Sequence, residues 1–167
     1  MTSAVHIATP PHYDMYPIAH VAQSEVVTFI AKILESECGM RVRRHLESSV
    51  SQFFEHFDPQ TRLFKALYRE NHLRALLAVD HLNVEIAVLK WIFVASTDRN
   101  QGLGSDLIDQ AISFAQKTGH TKLVLCTATR MEAAHRMYHK KGFVFKKNVT
   151  FWRKSMQILE CPLNSGS

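Results

Sequence analysis

The sequence predicts one α/β (α+β) domain, built on a single mixed and mainly antiparallel sheet with flanking helices. With 167 residues, 46% of them hydrophobic, the chain can form one substantial core. The predicted element order is β-α-α-β-β-β-α-β-α-β-β, in which consecutive early strands favour antiparallel pairing. The later strand, helix and strand are typical of a crossover between parallel strands. We expect the domain to cover residues 1–161 and residues 162–167 to form a disordered tail.

The early elements follow from apolar spacing and from residues that break helices. Residues 5–9 are predicted to form a short strand ahead of two prolines. Apolar side chains at helical spacing predict a helix that Ser24 caps and Gly39 ends, and a second helix over residues 41–57. Two strands, at 63–68 and 73–79, follow as a hairpin.

The later elements centre on a long apolar run. Residues 84–94 have few polar positions, which is typical of a central strand covered on both faces. A glycine turn comes next, and then a helix with Leu107, Ile108 and Ala111 on one face. The remaining predicted elements are a strand at 122–127, a helix at 131–141, and strands at 143–147 and 149–159.

The composition argues against several classes of protein. No apolar run approaches the roughly 20 residues that span a bilayer, and the N-terminus lacks the pattern of a secretory signal. The three cysteines are scattered, so we expect free thiols, a reducing compartment and a cytoplasmic location. The formal net charge is +5, but its basic residues are dispersed and no nucleic-acid-binding signature accompanies them. A field that attracts a polyanionic small ligand explains this charge equally well.

The glycine turn is the most informative segment. Glycines let a ligand approach the backbone closely, and the first amides of a helix bind anions. A Walker loop requires Lys and Ser/Thr after its second glycine, whereas Ser105 and Asp106 follow Gly104. A dinucleotide-binding turn requires a third glycine where this chain has Leu107. Residues 99–104, RNQGLG, match the pattern R/Q-x-x-G-x-G/A at every specified position.

With this pattern placed after a long strand, the sequence resembles the GNAT superfamily of N-acetyltransferases. A second segment supports the resemblance. Ala134, Tyr138, Lys140, Gly142 and Phe143 fall at the matching positions of the family's A-x-x-x-Y-E-K-x-G-F segment. The resemblance covers residues 84–143, and before them only the order of the elements agrees.

The resemblance implies a site for acetyl-CoA in a wedge between the strands at 84–94 and 122–127. In the family, the backbone of the first strand binds the pantetheine arm and the amides of the glycine turn bind the pyrophosphate. The implied cofactor-binding residues are Ile92, Phe93, Val94, Arg99, Asn100, Gln101, Gly102, Leu103, Gly104 and Ser105. A tight turn without a ligand is the alternative for the two glycines.

The resemblance also implies that Tyr138 is catalytic, because in many relatives this tyrosine protonates the departing CoA thiolate. Packing is the alternative role for an aromatic residue on a helix. The general base is not identified, since Val88 stands where many relatives carry a glutamate. Glu85 falls on the other face of a regular strand, and Lys90 and His81 have no further support. A water relay or an amine that arrives neutral would also serve.

Other residues depart from the family or suggest other chemistry. Met131 stands where relatives often have an asparagine that contacts the pantetheine arm. His135 and His139 are one helical turn apart, which is compatible with metal binding. No carboxylate or third histidine completes a pattern near them, so we predict no metal.

We therefore predict an N-acetyltransferase that moves an acetyl group from acetyl-CoA to a primary amine by direct attack in a ternary complex. The first two helices, residues 35–40 and the last strands should shape the acceptor site. A small molecule, a peptide N-terminus and a protein lysine all stay open as acceptors. Two alternatives are a catalytically impaired CoA-binding GNAT-like regulator and a basic nucleic-acid-binding module. The predicted partner is a small-molecule or peptide amine rather than a membrane or nucleic acid, and a homodimer is compatible with the sequence.

Overall fold

A computed structural model describes residues 12–164, and their elements follow the predicted order. They are β1 (Asp14–Met15), α1 (Gln23–Cys38), α2 (Arg43–Glu55), β2 (Leu63–Arg69), β3 (His72–His81), β4 (Ile86–Val94), α3 (Leu103–Lys117), β5 (Lys122–Ala128), α4 (Glu132–Lys140), β6 (Val144–Phe151) and β7 (Lys154–Pro162). The strand predicted at residues 5–9 lies outside the described residues, and β1 is the first strand observed. Within residues 12–164, no helix is long and apolar enough to cross a membrane.

The strands form one sheet with the order β1-β2-β3-β4-β5-β7-β6. Among the described strands, β4 and β5 are the parallel neighbours and every other pair is antiparallel. This mixed, mainly antiparallel sheet confirms the predicted fold class. β4 pairs with β5 only over residues 86–88 and 122–124. Beyond Val88 and Val124 the two strands separate, while β5 stays paired with β7 as far as Ala128.

The sheet is covered on both faces, as the apolar run in β4 predicted. Side-chain alternation along β3 shows this, since Leu76 and Ala78 pack with α1 and α2 while Leu77 and Val79 pack with α3. All four side chains are fully buried. The two cores therefore lie on opposite sides of the same central strands.

A β-bulge at Lys90 marks the point where β4 leaves β5. Trp91 pairs with Ala78 and Leu89 pairs with Val79, so Lys90 has no partner of its own on β3. The extra residue keeps Leu89 on the α3 side of the sheet and puts Trp91 on the α1 and α2 side. The bulge thus bends the strand without exposing its apolar residues.

Helix ends differ from the predictions by a few residues. Ser24 was predicted to cap α1, but Ala22 is the N-cap residue and no side chain caps this end. Gly39 ends the helix as predicted, with a left-handed φ of 63°. Its amide donates to the Glu35 carbonyl, and the next amide, of Met40, reaches back to the Leu34 carbonyl. The second helix is shorter than residues 41–57, because α2 covers Arg43–Glu55.

The turn of the β2–β3 hairpin was predicted correctly, and that of the β6–β7 hairpin was not. Between β2 and β3, Glu70 and Asn71 have φ values of 53° and 63°, which is a two-residue turn in the predicted place. The break predicted at Asn148 is wrong, because β6 runs on to a turn at Trp152 and Arg153 with φ values of 52° and 61°. Tryptophan and arginine give no turn signal in a sequence, whereas asparagine does.

The prediction that a disordered tail begins at residue 162 is also wrong. Pro162 pairs with Lys122 at the end of β7. The next residue, Leu163, is buried, and its amide donates to the Thr121 carbonyl at 2.8 Å. Residues 162 and 163 therefore belong to the folded domain.

A pair of histidines, of which His120 is buried and His81 is half-buried, joins the ends of β3 and α3. The Nδ1 atom of His81 lies 2.9 Å from Nε2 of His120, whose Nδ1 lies 2.7 Å from the Thr118 hydroxyl. His120 is only 4% exposed. Burial, and then the neighbouring His81, lower the pKa of His120.

This pair predicts a loss of stability in acid. Because the pKa of His120 is lower in the folded protein, its contribution is present above the unfolded pKa of about 6.5 and is lost as the pH falls through the folded pKa. The free energy of unfolding in urea should therefore fall below about pH 6.5, less steeply in His120→Asn than in the wild type. The exposed His20 supplies the control, and His20→Asn should keep the wild-type slope. Equal slopes in His120→Asn and the wild type would contradict the prediction.

Candidate active site

The separation of β4 from β5 leaves one edge of β4 open. The Ala95 amide donates to the Arg74 carbonyl at 2.7 Å, so the backbone of Ala95 faces β3. Backbone groups alternate along a strand, and those of Ile92 and Val94 therefore point to the open edge. The Val94 carbonyl confirms this direction because it accepts a hydrogen bond from Arg99 Nε at 3.0 Å. The backbone of Phe93 faces β3, and this residue is open to a ligand only through its side chain.

The glycine turn next to this edge presents free amides. Asn100 and Gly102 have left-handed φ values of 62° and 79°, and they turn the chain sharply into α3. The first bond of α3 runs from the Asp106 amide to the Gly102 carbonyl at 3.0 Å. The amides of residues 103–105 precede that bond and have no partner within the helix. They form the kind of helix N-terminus that binds phosphate.

A cavity of about 680 Å³, here called the loop cavity, joins the open edge to these amides. Its lining includes nine of the ten predicted cofactor-binding residues: Ile92, Phe93, Val94, Arg99, Asn100, Gly102, Leu103, Gly104 and Ser105. Gln101 is the exception, since it is exposed and does not line the cavity. It lies between two residues with left-handed φ values, at the outside of the turn.

The arginines that are available to a ligand in the loop cavity are not the one that was predicted. The Arg99 guanidinium forms a paired interaction with the Glu37 carboxylate at the end of α1, so its charge is already matched. Arg130 and Arg136 also line the loop cavity and are exposed, and neither forms an ion pair with a described residue. Sequence reasoning missed both, although Arg136 lies inside the segment that carries the family resemblance.

A second cavity of about 320 Å³, here called the helix cavity, lies between the sheet and the first two helices. The segments predicted to shape an acceptor site all contribute to it, with Leu34 from α1, Met40 from the connection, Leu46 from α2 and Phe151 from β6. The two cavities share part of their lining: Ile92, Phe93, Met131 and Tyr138. They therefore meet where β4 and β5 separate.

Tyr138 lies at this meeting point. It is 6% exposed, and its ring packs against Phe143 with centroids 5.7 Å apart. Burial raises the pKa of Tyr138 to about 12, so the phenol keeps its proton at neutral pH. Among the described residues, none makes a side-chain hydrogen bond to its hydroxyl group. The hydroxyl is therefore available to a ligand.

Two of the three residues considered as general base lie away from both cavities. Glu85 precedes β4, where its carbonyl accepts a bond from Thr121, and it lines neither cavity. His81 is paired with His120 at the far end of β3. Lys90 does line the helix cavity, 3.9 Å from Asp80.

The two histidines on α4 each contact a backbone carbonyl group. His135 Nε2 lies 3.0 Å from the Ala128 carbonyl, and His139 Nδ1 lies 3.1 Å from the Phe143 carbonyl. Within residues 12–164, no three His, Cys, Asp or Glu side chains are grouped as a metal site requires.

A buried carboxylate holds the residues just before the glycine turn. Asp98 is fully buried and accepts hydrogen bonds from Tyr13 at 2.8 Å and Thr97 at 2.7 Å. Its oxygens also lie 3.2 Å from Arg69 and 3.8 Å from Arg74. Burial alone would raise the pKa of Asp98, but the two hydrogen bonds and the two arginines lower it overall. The ionised Asp98 thus ties the turn to β2, to β3 and to Tyr13, the residue before β1.

Comparison with known proteins agrees with this architecture. Residues 28–143 match the model of the Acetyltransferase (GNAT) family, and the chain belongs to this family. An uncharacterised N-acetyltransferase of Methanocaldococcus jannaschii is 32% identical over 73 residues, which are 44% of this chain and 32% of that relative. The aligned part is therefore about a third of the relative's own length.

Solved structures show the same fold. An acetyltransferase from Streptococcus agalactiae superposes with a TM-score of 0.77 at 18% identity, over 91% of this chain and 98% of that one. A GNAT family acetyltransferase from Elizabethkingia anophelis, solved with acetyl-CoA bound, gives a TM-score of 0.56 at 19% identity, over 70% and 82% of the two chains. The fold implied by the sequence resemblance is thus confirmed.

The Asp98 network predicts a large loss of stability on mutation. Asp98→Ala leaves two arginines without their shared carboxylate, and we expect a loss of about 3 kcal/mol in the free energy of unfolding. Thr97→Val removes the hydrogen bond to the same carboxylate and a longer one from Arg74, and should cost about 1 kcal/mol. Urea unfolding at neutral pH measures both changes. Similar losses in the two variants would show that Asp98 does not hold the arginines.

Proposed function

We propose that this protein is an N-acetyltransferase that transfers the acetyl group of acetyl-CoA to a primary amine by direct attack in a ternary complex. The observation that carries the proposal is the open edge of β4 beside the free amides of the glycine turn. Membership of an acetyltransferase family supports it, as does the related structure from Elizabethkingia anophelis with acetyl-CoA bound.

In this proposal the loop cavity receives the CoA part of the donor. The open backbone groups of Ile92 and the Val94 amide match the amides of a pantetheine arm, which would add to β4 as a short strand. The amides of residues 103–105 would bind the pyrophosphate. Arg130 and Arg136 would supply positive charge for the phosphates in place of Arg99, which Glu37 already pairs.

The chemistry is one substitution at the acetyl carbon. The amine nitrogen forms a bond to that carbon, the carbon–sulfur bond breaks, and the CoA sulfur leaves as a thiolate. Tyr138 would donate a hydrogen bond to that sulfur. Because burial raises the pKa of Tyr138 to about 12, the phenol is protonated at neutral pH and can stabilise and protonate the thiolate, which is the role that the resemblance implies. The proton lost by the amine goes to solvent.

The amine must be neutral when it attacks, and the helix cavity itself favours that form. Its walls are largely apolar, and removal from water destabilises a charged ammonium relative to a neutral amine. A carboxylate base at position 88 is then not needed. This accounts for a reaction in a chain that has Val88 at that position.

Acetyl-CoA binding, measured by calorimetry, tests the donor site. A Cβ atom on Gly104 would lie 3.4 Å from Met137 Sδ and 3.9 Å from a Val94 methyl group, inside the loop cavity. Gly104→Glu should therefore weaken acetyl-CoA binding by at least about tenfold, or 1.4 kcal/mol, through steric and charge conflict. Gln116→Glu adds the same charge at an exposed position of α3 and should leave the affinity unchanged.

A wild-type protein that binds no acetyl-CoA would refute the proposed function. Release of free thiol in a screen of primary amines tests the transfer itself. Acetyl-CoA binding without thiol release from any amine would favour the catalytically impaired regulator.

Tyr138→Phe tests the role of the hydroxyl group. The variant keeps the ring that packs on Phe143 but loses the donor to the thiolate, so turnover should fall by about a hundredfold. The affinity for acetyl-CoA should stay close to that of the wild type. Tyr16→Phe changes an exposed tyrosine and is the matched control. Unchanged turnover in Tyr138→Phe would assign this residue to packing.

A further inference from the structure

The helix cavity is the part of the candidate active site whose ligand the family resemblance does not identify. From its lining we propose that the acceptor is a small primary amine on an apolar body, aromatic or aliphatic, with no second positive charge. This inference rests on the proposed function and names the substrate class of the same site.

The walls of the helix cavity are mostly hydrocarbon. The apolar lining residues come from both helices and from the sheet: Ile30, Leu34, Met40, Val42, Leu46, Leu89, Trp91, Ile92, Phe93, Leu125, Ala128, Met131, Phe151 and Met156. A volume of about 320 Å³ suits a small molecule of the size of one aromatic ring with a short alkyl chain. Such walls stabilise a ligand by removing its apolar surface from water.

The polar side chains of the helix cavity do not suit a polycation. They are His45, Ser49, Lys90, Cys126, Thr127 and Tyr138, and no aspartate or glutamate is among the described residues that line it. An additional ammonium group of a polyamine would be removed from water without a carboxylate partner, which is costly. Asp80, the carboxylate near the cavity, is already 3.9 Å from Lys90.

Aromatic side chains border the helix cavity on the side of β6. The ring of His45 packs edge-on against Phe151 and Trp152, with centroids 5.5 Å and 5.8 Å apart. Trp152 is 56% exposed and has the left-handed φ of the turn between β6 and β7. This backbone conformation is that of a two-residue hairpin turn, and it holds the Trp152 ring beside His45. The rings of His45 and Phe151 line the cavity and offer further contact to an apolar or aromatic acceptor, and Trp152 packs behind His45.

The shared lining orients the acceptor. Because Phe93, Met131 and Tyr138 belong to both cavities, the amine nitrogen must lie at this end to reach the acetyl group. The apolar body then extends between α1, α2 and the sheet. A second amine further along the body would lie among apolar side chains.

The first test compares two amines as acceptors at saturating acetyl-CoA. For the wild type, kcat/KM should be at least about tenfold higher for 2-phenylethylamine than for spermidine. Ser49→Asp places a carboxylate in the helix cavity and should shift this ratio towards spermidine by at least about tenfold. Ser48→Asp puts the same charge on an exposed neighbour that does not line the cavity, and it should leave the ratio unchanged.

The second test measures binding without turnover. Cys126 lines the helix cavity and is exposed, whereas Cys38 and Cys161 are buried. In the absence of acetyl-CoA, 2-phenylethylamine should slow alkylation of Cys126 by iodoacetamide in a saturable way, and spermidine should not. Mass spectrometry of the labelled peptide reports the rate.

The outcomes separate this inference from the proposed function. A preference for spermidine over 2-phenylethylamine, with acetyl-CoA bound normally, would overturn the acceptor class and leave the acetyltransferase proposal intact. Equal protection of Cys126 by both amines would overturn it as well. Failure to bind acetyl-CoA would refute the proposed function, whatever the result at Cys126.

Discussion

The site depends on one constraint, the early end of pairing between β4 and β5. A strand inside a sheet normally has both edges satisfied, and unpaired backbone groups away from water are costly. Here the pairing stops at Val88 and Val124, and the backbone groups of Ile92 and the amide of Val94 are left to a ligand or to water, while the Val94 carbonyl accepts a hydrogen bond from Arg99. The gap also connects the loop cavity to the helix cavity. Without it the sheet would be a closed barrier between its two faces.

Three features keep the gap from closing. β5 is bound on its other edge to β7 over its whole length, so it cannot follow β4. The bulge at Lys90 bends β4 where the strands separate. Asp98 holds the chain after β4 to the opposite part of the sheet through Arg69 and Arg74. The open edge is thus maintained by contacts on both sides of it.

Sequence reasoning found most of the fold because its signals are local. The apolar run in β4, the turn at Gly102 and the apolar faces of the helices depend on residues close together in the chain. The turn at Trp152 and Arg153 could not be predicted, because its residues are ones that turns disfavour and the contact with His45 is distant in sequence. The tail was misjudged for a similar reason, since Leu163 is buried only through its pairing with the segment before β5.

In the candidate site, too, the features that were predicted are local in sequence and those that were missed depend on distant contacts. The glycine turn is a contiguous motif, and its residues line the loop cavity with the exception of Gln101. The pairing of Arg99 with Glu37 joins two elements far apart in sequence and changes which arginines are available. The segments that form the helix cavity were predicted, but its volume and apolar lining depend on the packing of α1 and α2 on the sheet, which no motif encodes.

The apolar walls of the helix cavity affect the protonation of the groups inside it. Burial raises the pKa of Tyr138 to about 12. Under the proposed function, the same removal from water would favour the neutral form of an amine acceptor. A buried carboxylate base in the same place would itself tend to take up a proton. In such a site, a neutral amine and a neutral hydrogen-bond donor are the forms that the environment supports without further charges.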